Sequence, residues 1–129
     1  MDDNKKTVLV VDDEADFLKV IKFRLEANGY DVVTAATGKD ALDKVRTCRL
    51  DAVLLDVLLP DMSGIDVLRE IRKLQKDLPV FIITAFSNKE RFELANKFSA
   101  SGFIVKSGDL QKEIEHITGA IRISDKYKG

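Results

Sequence analysis

Three acidic side chains and one lysine stand where short apolar runs end. Val8-Leu9-Val10-Val11 leads into Asp12-Asp13, Asp51-Ala52-Val53-Leu54-Leu55 into Asp56, and Gly102-Phe103-Ile104-Val105 into Lys106. A fourth run, Val80-Phe81-Ile82-Ile83, ends at Thr84. Carboxylates gathered in one spot repel, by about 4 kcal/mol for two charges 4 Å apart at an effective dielectric near 20. Such a cluster either keeps a proton or takes a cation. His116 is the only histidine and Cys48 the only cysteine, which leaves no zinc set. An all-oxygen site points to Mg²⁺, a hard ion that prefers carboxylates. A carboxylate beside that ion and a lysine can attack phosphorus in line and become an aspartyl-phosphate. In that chemistry Asp56 is the nucleophile, Asp12 and Asp13 form the metal side, and Lys106 and Thr84 clamp the phosphoryl oxygens.

The elements that must position these groups are legible from periodicity. Apolar runs lie near residues 7–11, 31–35, 51–55, 79–84 and 102–106. They are short, and most are rich in Val and Ile and unbroken by polar residues, as suits strands covered on both faces. Between them the spacing turns helical: Phe17, Leu18, Ile21 and Leu25; Leu42 and Val45; Leu68 and Ile71; Phe92, Ala95 and Phe98; Leu110, Ile114, Ile117 and Ile121. Gly29 suits a helix stop, and Ser107 or Asp109 a helix start. Strict alternation predicts an α/β fold of (βα)5 type, a doubly wound five-stranded parallel sheet with right-handed crossovers. The favoured order is 2-1-3-4-5, with a crevice between strands 1 and 3. Neighbouring strands lie about 4.8 Å apart, so Asp12, Asp13 and Asp56 should meet there. Lys106 ends the far edge strand and needs its long stem to reach them.

The chain of 129 residues fits one domain, 1–129, with a core over 6–122 and a polar, fraying tail over 123–129. Apolar residues make up 45% and charged residues 33%, a globular balance. The net charge of −1 and the lack of like-charge blocks argue against direct nucleic-acid or membrane binding. No apolar stretch approaches membrane-spanning length, and the charged start Met1–Lys6 is unlike a secretory leader. Lone Cys48 forms no intrachain disulfide and reads as a half-buried, inert thiol in a reducing compartment. The expected location is cytoplasmic.

The pieces Val10-Val11-Asp12-Asp13-Glu14, Leu55-Asp56-Val57-Leu58-Leu59-Pro60-Asp61-Met62-Ser63-Gly64, Thr84-Ala85 and Gly102-Phe103-Ile104-Val105-Lys106 occur in order and at matching spacing. In them the chain resembles the receiver domains of bacterial two-component response regulators, over essentially residues 6 to 122. The resemblance implies a flavodoxin-like receiver fold and a signalling switch in place of a metabolic enzyme, with only self-phosphorylation and self-dephosphorylation chemistry. It implies that Asp56 accepts a phosphoryl group from a histidine kinase or phosphotransfer protein. Asp13, Asp56 and the backbone carbonyl of Leu58 would ligate Mg²⁺ directly, and Asp12 largely through water. Thr84 and Phe103 would be the switch pair, moving an output face formed by segment 87–100, the strand at 102–106 and segment 109–122. That face is also the place for a homodimer. The recipient of the signal is a downstream protein or a fused output domain, and both a stand-alone regulator and the receiver of a longer protein stay open.

The chain departs from the family after Lys106, where Ser107-Gly108 replaces the usual proline and its cis bond. Apolar Leu58 and Phe86 occupy positions that flank the phosphoryl site in the family, which predicts slow self-dephosphorylation. Other chemistries fit less well. A phosphatase of the dehalogenase type needs an acid two residues after its nucleophile, where this chain has Leu58. A flavodoxin-like phosphate or flavin binder needs a phosphate loop after strand 1, where Asp12-Asp13-Glu14 repels anions. A degenerate receiver that works without phosphorylation would not need the full set of residues. His116 beside the last helical stripe reads as a structural histidine.

Overall fold

Each apolar run becomes a strand and each amphipathic segment a helix in the computed structural model, which describes residues 5–85, 88–106 and 108–126. The order is β1 (Thr7–Val11), α1 (Ala15–Ala27), β2 (Asp31–Ala35), α2 (Gly38–Thr47), β3 (Ala52–Asp56), α3 (Gly64–Leu74), β4 (Val80–Thr84), α4 (Lys89–Lys97), β5 (Gly102–Val105) and α5 (Leu110–Lys126). The strands form one parallel sheet in the order β2-β1-β3-β4-β5. This is the expected doubly wound, flavodoxin-like arrangement.

Alternation along the strands sorts the core into two layers. Leu9, Val11, Val53, Leu55, Val80 and Ile82 face α2, α3 and α4. Val8, Val10, Leu54, Phe81 and Ile83 face α1 and α5, against Ile21, Leu25, Ile114, Ile117 and Ile121. Because both sheet faces are covered, the polar ends of the strands are the places where chemistry reaches solvent.

Local capping fixes where the helices begin. Thr37 accepts the Asp40 N–H at 3.0 Å, Ser63 the Ile65 N–H at 3.2 Å and Asn88 the Arg91 N–H at 2.8 Å. Asp109 serves α5, accepting from the Lys112 N–H at 3.3 Å, while Ser107 lies outside the described residues. Gly29 follows α1 with φ +91°, the left-handed conformation that stops a helix cheaply only at glycine. Cys48 is half-buried at the end of α2, as expected.

The C-terminal boundary differs from expectation. α5 continues through Lys126, so the first part of the expected fraying tail is helical. Residues 120–126 hold no proline or glycine that would stop the helix there. Residues 127–129 lie outside the described residues.

Candidate functional site

The acid site forms at the carboxyl edge of β1 and β3. Asp12 still behaves as a strand residue: its N–H donates to the Ala35 carbonyl of β2 at 3.1 Å. That pairing carries its side chain into the interior, where it is 0% exposed. Asp13, one residue further, is exposed. Asp56 closes β3 and is 5% exposed. One carboxylate oxygen from each of Asp12, Asp13 and Asp56 lies within 4.8 Å of the others. This is a compact all-oxygen set, and it has the size and hardness that fit a small divalent cation.

Backbone N–H groups help to orient Asp12 and Asp56. Asp12 Oδ1 accepts the Glu14 N–H at 2.9 Å, and Asp56 Oδ1 accepts the Leu58 N–H at 3.3 Å. The loop after Asp56 is held by a bridge between Leu58 and Ser63 and by the Gly64 N–H donating to the Val57 carbonyl at 2.8 Å. Gly64 opens α3 directly beneath the strand end, and a Cβ there would overlap the Asp56 carbonyl oxygen. Glycine is therefore required by close approach at this point. Asp61, in the same loop, accepts the Gly38 and Lys39 N–H groups at 2.8 and 2.9 Å. Those two donors at the start of α2 hold its carboxyl below the usual range.

Lys106 reaches the cluster from the far edge. Its Nζ donates to Asp12 Oδ2 at 2.6 Å and lies 3.6 Å from Asp56 Oδ2 and 3.7 Å from Glu14 Oε1. Burial lowers the affinity of the ammonium for its proton. The bond to Asp12 and the charges of Asp12, Asp56 and Glu14 outweigh that cost and hold Lys106 above the usual lysine range. Asp56 moves the other way. Burial, reinforced by Asp12, pushes its carboxyl from 3.8 to about 6 although Lys106 and the Leu58 N–H pull downward. Four carboxyl groups, those of Asp12, Asp13, Glu14 and Asp56, stand around a single lysine, and that excess of acid is what a cation would satisfy.

Thr84 closes β4 one register step beyond Ile83, the partner of Asp56. It is fully buried, and its carbonyl accepts the Lys106 N–H at 2.8 Å, tying the two strand ends together. Phe103 lies on β5 beside Ile82. It is half-buried, packs on the first core layer and meets Phe92 of α4 edge to face at a centroid distance of 5.6 Å. The Leu58 side chain is 45% exposed at the mouth of the site. Phe86 and the Lys106–Ser107 bond lie outside the described residues.

The structure therefore brings Asp12, Asp13, Asp56 and Lys106 together and sets Thr84 at the neighbouring strand end, whereas Phe103 stands further along the edge strand. Two contributors escaped the sequence analysis. Glu14 reads there only as part of a motif, and Phe17 only as a member of the α1 stripe, yet Lys106 Nζ lies 4.1 Å from the Phe17 ring centroid. A groove of about 700 Å³ between α3 and α4 borders Leu58, but the acids and Lys106 lie outside its lining. His116 is exposed on α5, away from this chemistry. Among the described residues, no helix is long and apolar enough to cross a membrane.

Comparison with known proteins agrees with this geometry. Residues 8–118 match the family model of the response regulator receiver domain. The alkaline phosphatase synthesis transcriptional regulatory protein PhoP of Bacillus subtilis is 37% identical over 103 residues, covering 80% of this chain and 42% of that protein. The transcriptional regulatory protein ZraR of Salmonella typhimurium is 37% identical over 117 residues, 91% of this chain and 26% of that protein. The chain thus spans half or less of the length of these relatives. Among solved structures, a CheY-like receiver domain protein from Methanospirillum hungatei superimposes with a TM-score of 0.88 at 28% identity, covering 95% of this chain and 98% of that one. TrrA from Thermotoga maritima, solved in complex with Mg(2+)-BeF, superimposes with a TM-score of 0.79 at 36% identity, covering 89% and 98%. The strand order, the acid cluster facing a lysine and the matched residues together make this chain a member of the response regulator receiver domain family of two-component systems, a signalling module.

Proposed function

We propose that this chain is a phosphoryl-accepting switch in which Asp56 takes the phosphoryl group from a histidine kinase or phosphotransfer protein. The supporting observation is the convergence of a nearly buried carboxylate, two further acids and a lysine at one strand edge, with Lys106 Nζ 3.6 Å from Asp56 Oδ2. An Asp56 oxygen attacks phosphorus as the bond from phosphorus to the leaving group breaks in line. Lys106 turns part of its charge from Asp56 to a phosphoryl oxygen, and the Thr84 hydroxyl donates to another. Asp13, Asp56 and the Leu58 carbonyl would hold Mg²⁺ directly and Asp12 through water; when bound, the ion supplies positive charge to the phosphoryl oxygens. The same groups support self-phosphorylation from small phosphodonors and self-dephosphorylation.

The switch follows from the added charge. A phosphoryl group on Asp56 draws the Thr84 hydroxyl toward it, which shifts the chain after β4 and lets Phe103 bury itself more deeply. Phe103 touches Phe92, so the change passes to the α4-β5-α5 face. Exposed Phe92, Val105 and Ile123 give that face apolar surface for a downstream protein, a fused output domain or a second copy. Residues 1–129 act in this proposal as one receiver domain in the cytoplasm, where the lone Cys48 stays reduced.

Incubation with acetyl phosphate and Mg²⁺ tests the proposal by intact mass. A single added phosphoryl group is expected, lost with Asp56→Ala and on chelation. Labelling that survives Asp56→Ala would overturn it.

A further inference from the structure

Lys106 has a difficult task. It leaves the edge strand β5, and β4 and β3 stand between it and β1, where its closest partner lies. A flexible stem must carry the ammonium across the sheet edge, and such a stem has many rotamers. The acids alone do not choose among them. Glu14 Oε1 is 3.7 Å from Nζ, nearly as close as Asp56 Oδ2 at 3.6 Å, and the Glu14 side chain is 65% exposed. A lysine guided only by charge can follow Glu14 outward.

Phe17 supplies the missing wall. It lies in the first turn of α1, half-buried, with its body packed on the second core layer. Its orientation is set by the core and not by the acids. The Lys106 ammonium sits over its ring at 4.1 Å from the centroid, while the lysine side chain is only 10% exposed. The negative face of an aromatic ring attracts a cation, more strongly where water is excluded.

We infer that Phe17 is a positioning residue: its ring holds the Lys106 ammonium over the Asp12–Asp56 pair before phosphorylation, so that the amine is in place when the phosphoryl group arrives. This rests on the proposed role of Asp56 and adds to it a residue of α1. Loss of such a contact should slow acylphosphate formation by about 2- to 30-fold.

The test compares the parent chain with Phe17→Tyr, Phe17→Leu and a chain carrying 3,4,5-trifluorophenylalanine at position 17. The fluorinated ring keeps the shape but loses its negative face. NMR of ¹³C-labelled lysine reads placement without metal or phosphate. In the parent, the Lys106 ε-methylene protons should be shifted upfield by the ring and inequivalent. Phe17→Tyr should preserve the shift, whereas fluorination should at least halve it although a ring remains. Labelling by acetyl phosphate should stay within about twofold for Tyr and fall by the stated factor for the fluorinated and Leu chains. Thermal melts confirm that each variant is folded. Parent Lys106 protons at unshifted positions overturn the inference. So does a shift that survives fluorination, or labelling that is indifferent to it. A parent that takes no label at Asp56 refutes the proposed function instead, and the NMR comparison then decides the positioning by itself.

Discussion

Removing the charge of Asp56 should stabilise the protein, and the amount depends on pH. The folded chain pushes this carboxyl from 3.8 to about 6, chiefly by burial and secondarily through Asp12. The folded state therefore binds the proton more tightly than the unfolded state does. Stability from this group is fully present below the unfolded value and is lost as pH rises from about 4 to about 6. A rise of this size corresponds to about 3 kcal/mol. Asp56→Asn keeps the shape and the acceptor for the Leu58 N–H but fixes the site in its neutral form. In urea titrations with chelator present, the variant should exceed the parent by up to about 3 kcal/mol at pH 7.5 and by only about 1 kcal/mol at pH 4.5. A gain equal at both pH values would show that the acid cluster carries no electrostatic strain. A variant no more stable than the parent at pH 7.5 would refute the reasoning altogether.

If the same strain is what a cation relieves, millimolar Mg²⁺ should raise the thermal midpoint of the parent and leave Asp13→Asn nearly unmoved, since binding to the folded state alone stabilises it; differential scanning fluorimetry reads this directly. Gly64→Ala should cost about 3 kcal/mol or more in urea unfolding, because the added methyl meets the backbone of Asp56 and Val57 and not a side chain that can turn aside. Leu58, exposed at the mouth of the site, and Phe86 should slow the water that hydrolyses the acylphosphate. Leu58→Asn combined with Phe86→Glu should lose phosphate several-fold faster than the parent by intact mass, and an unchanged half-life would refute that role.

What could be read in the sequence follows from where each signal is local. The strands of a doubly covered sheet are short apolar runs, so their ends, and the polar residues delivered there, are visible in one dimension. Asp12, Asp56, Thr84 and Lys106 were legible for that reason. The difference between Asp12 and Asp13 was less so. Both follow the same run, and only the hydrogen bond of Asp12 to Ala35 on a neighbouring strand decides which acid is buried. Asp61 illustrates a second limit. Its two acceptor bonds to Gly38 and Lys39 span more than twenty residues, and an exposed loop aspartate carries no local mark of capping another helix. The end of α5 is a third case, where the absence of a stop signal outweighed the polar composition of residues 124–126.

Phe17 shows why periodicity conceals as well as reveals. A stripe of apolar residues at helical spacing is fully explained by core burial, so nothing in Phe17, Leu18, Ile21 and Leu25 separates the member that also touches a charge. Ile21 and Leu25 are completely buried, deep under the sheet. Phe17 is nearest the carboxyl edge of β1, at the end of the stripe where the core stops and the acids begin. It lies in the first turn of an α1 that starts just after the acidic end of β1. Whether that residue is aliphatic or aromatic does not alter the burial pattern, but only an aromatic ring offers a face to the ammonium. The choice of ring at this border is thus a chemical decision made within a structural pattern, and it shows only when the lysine from β5 is seen to lie over it.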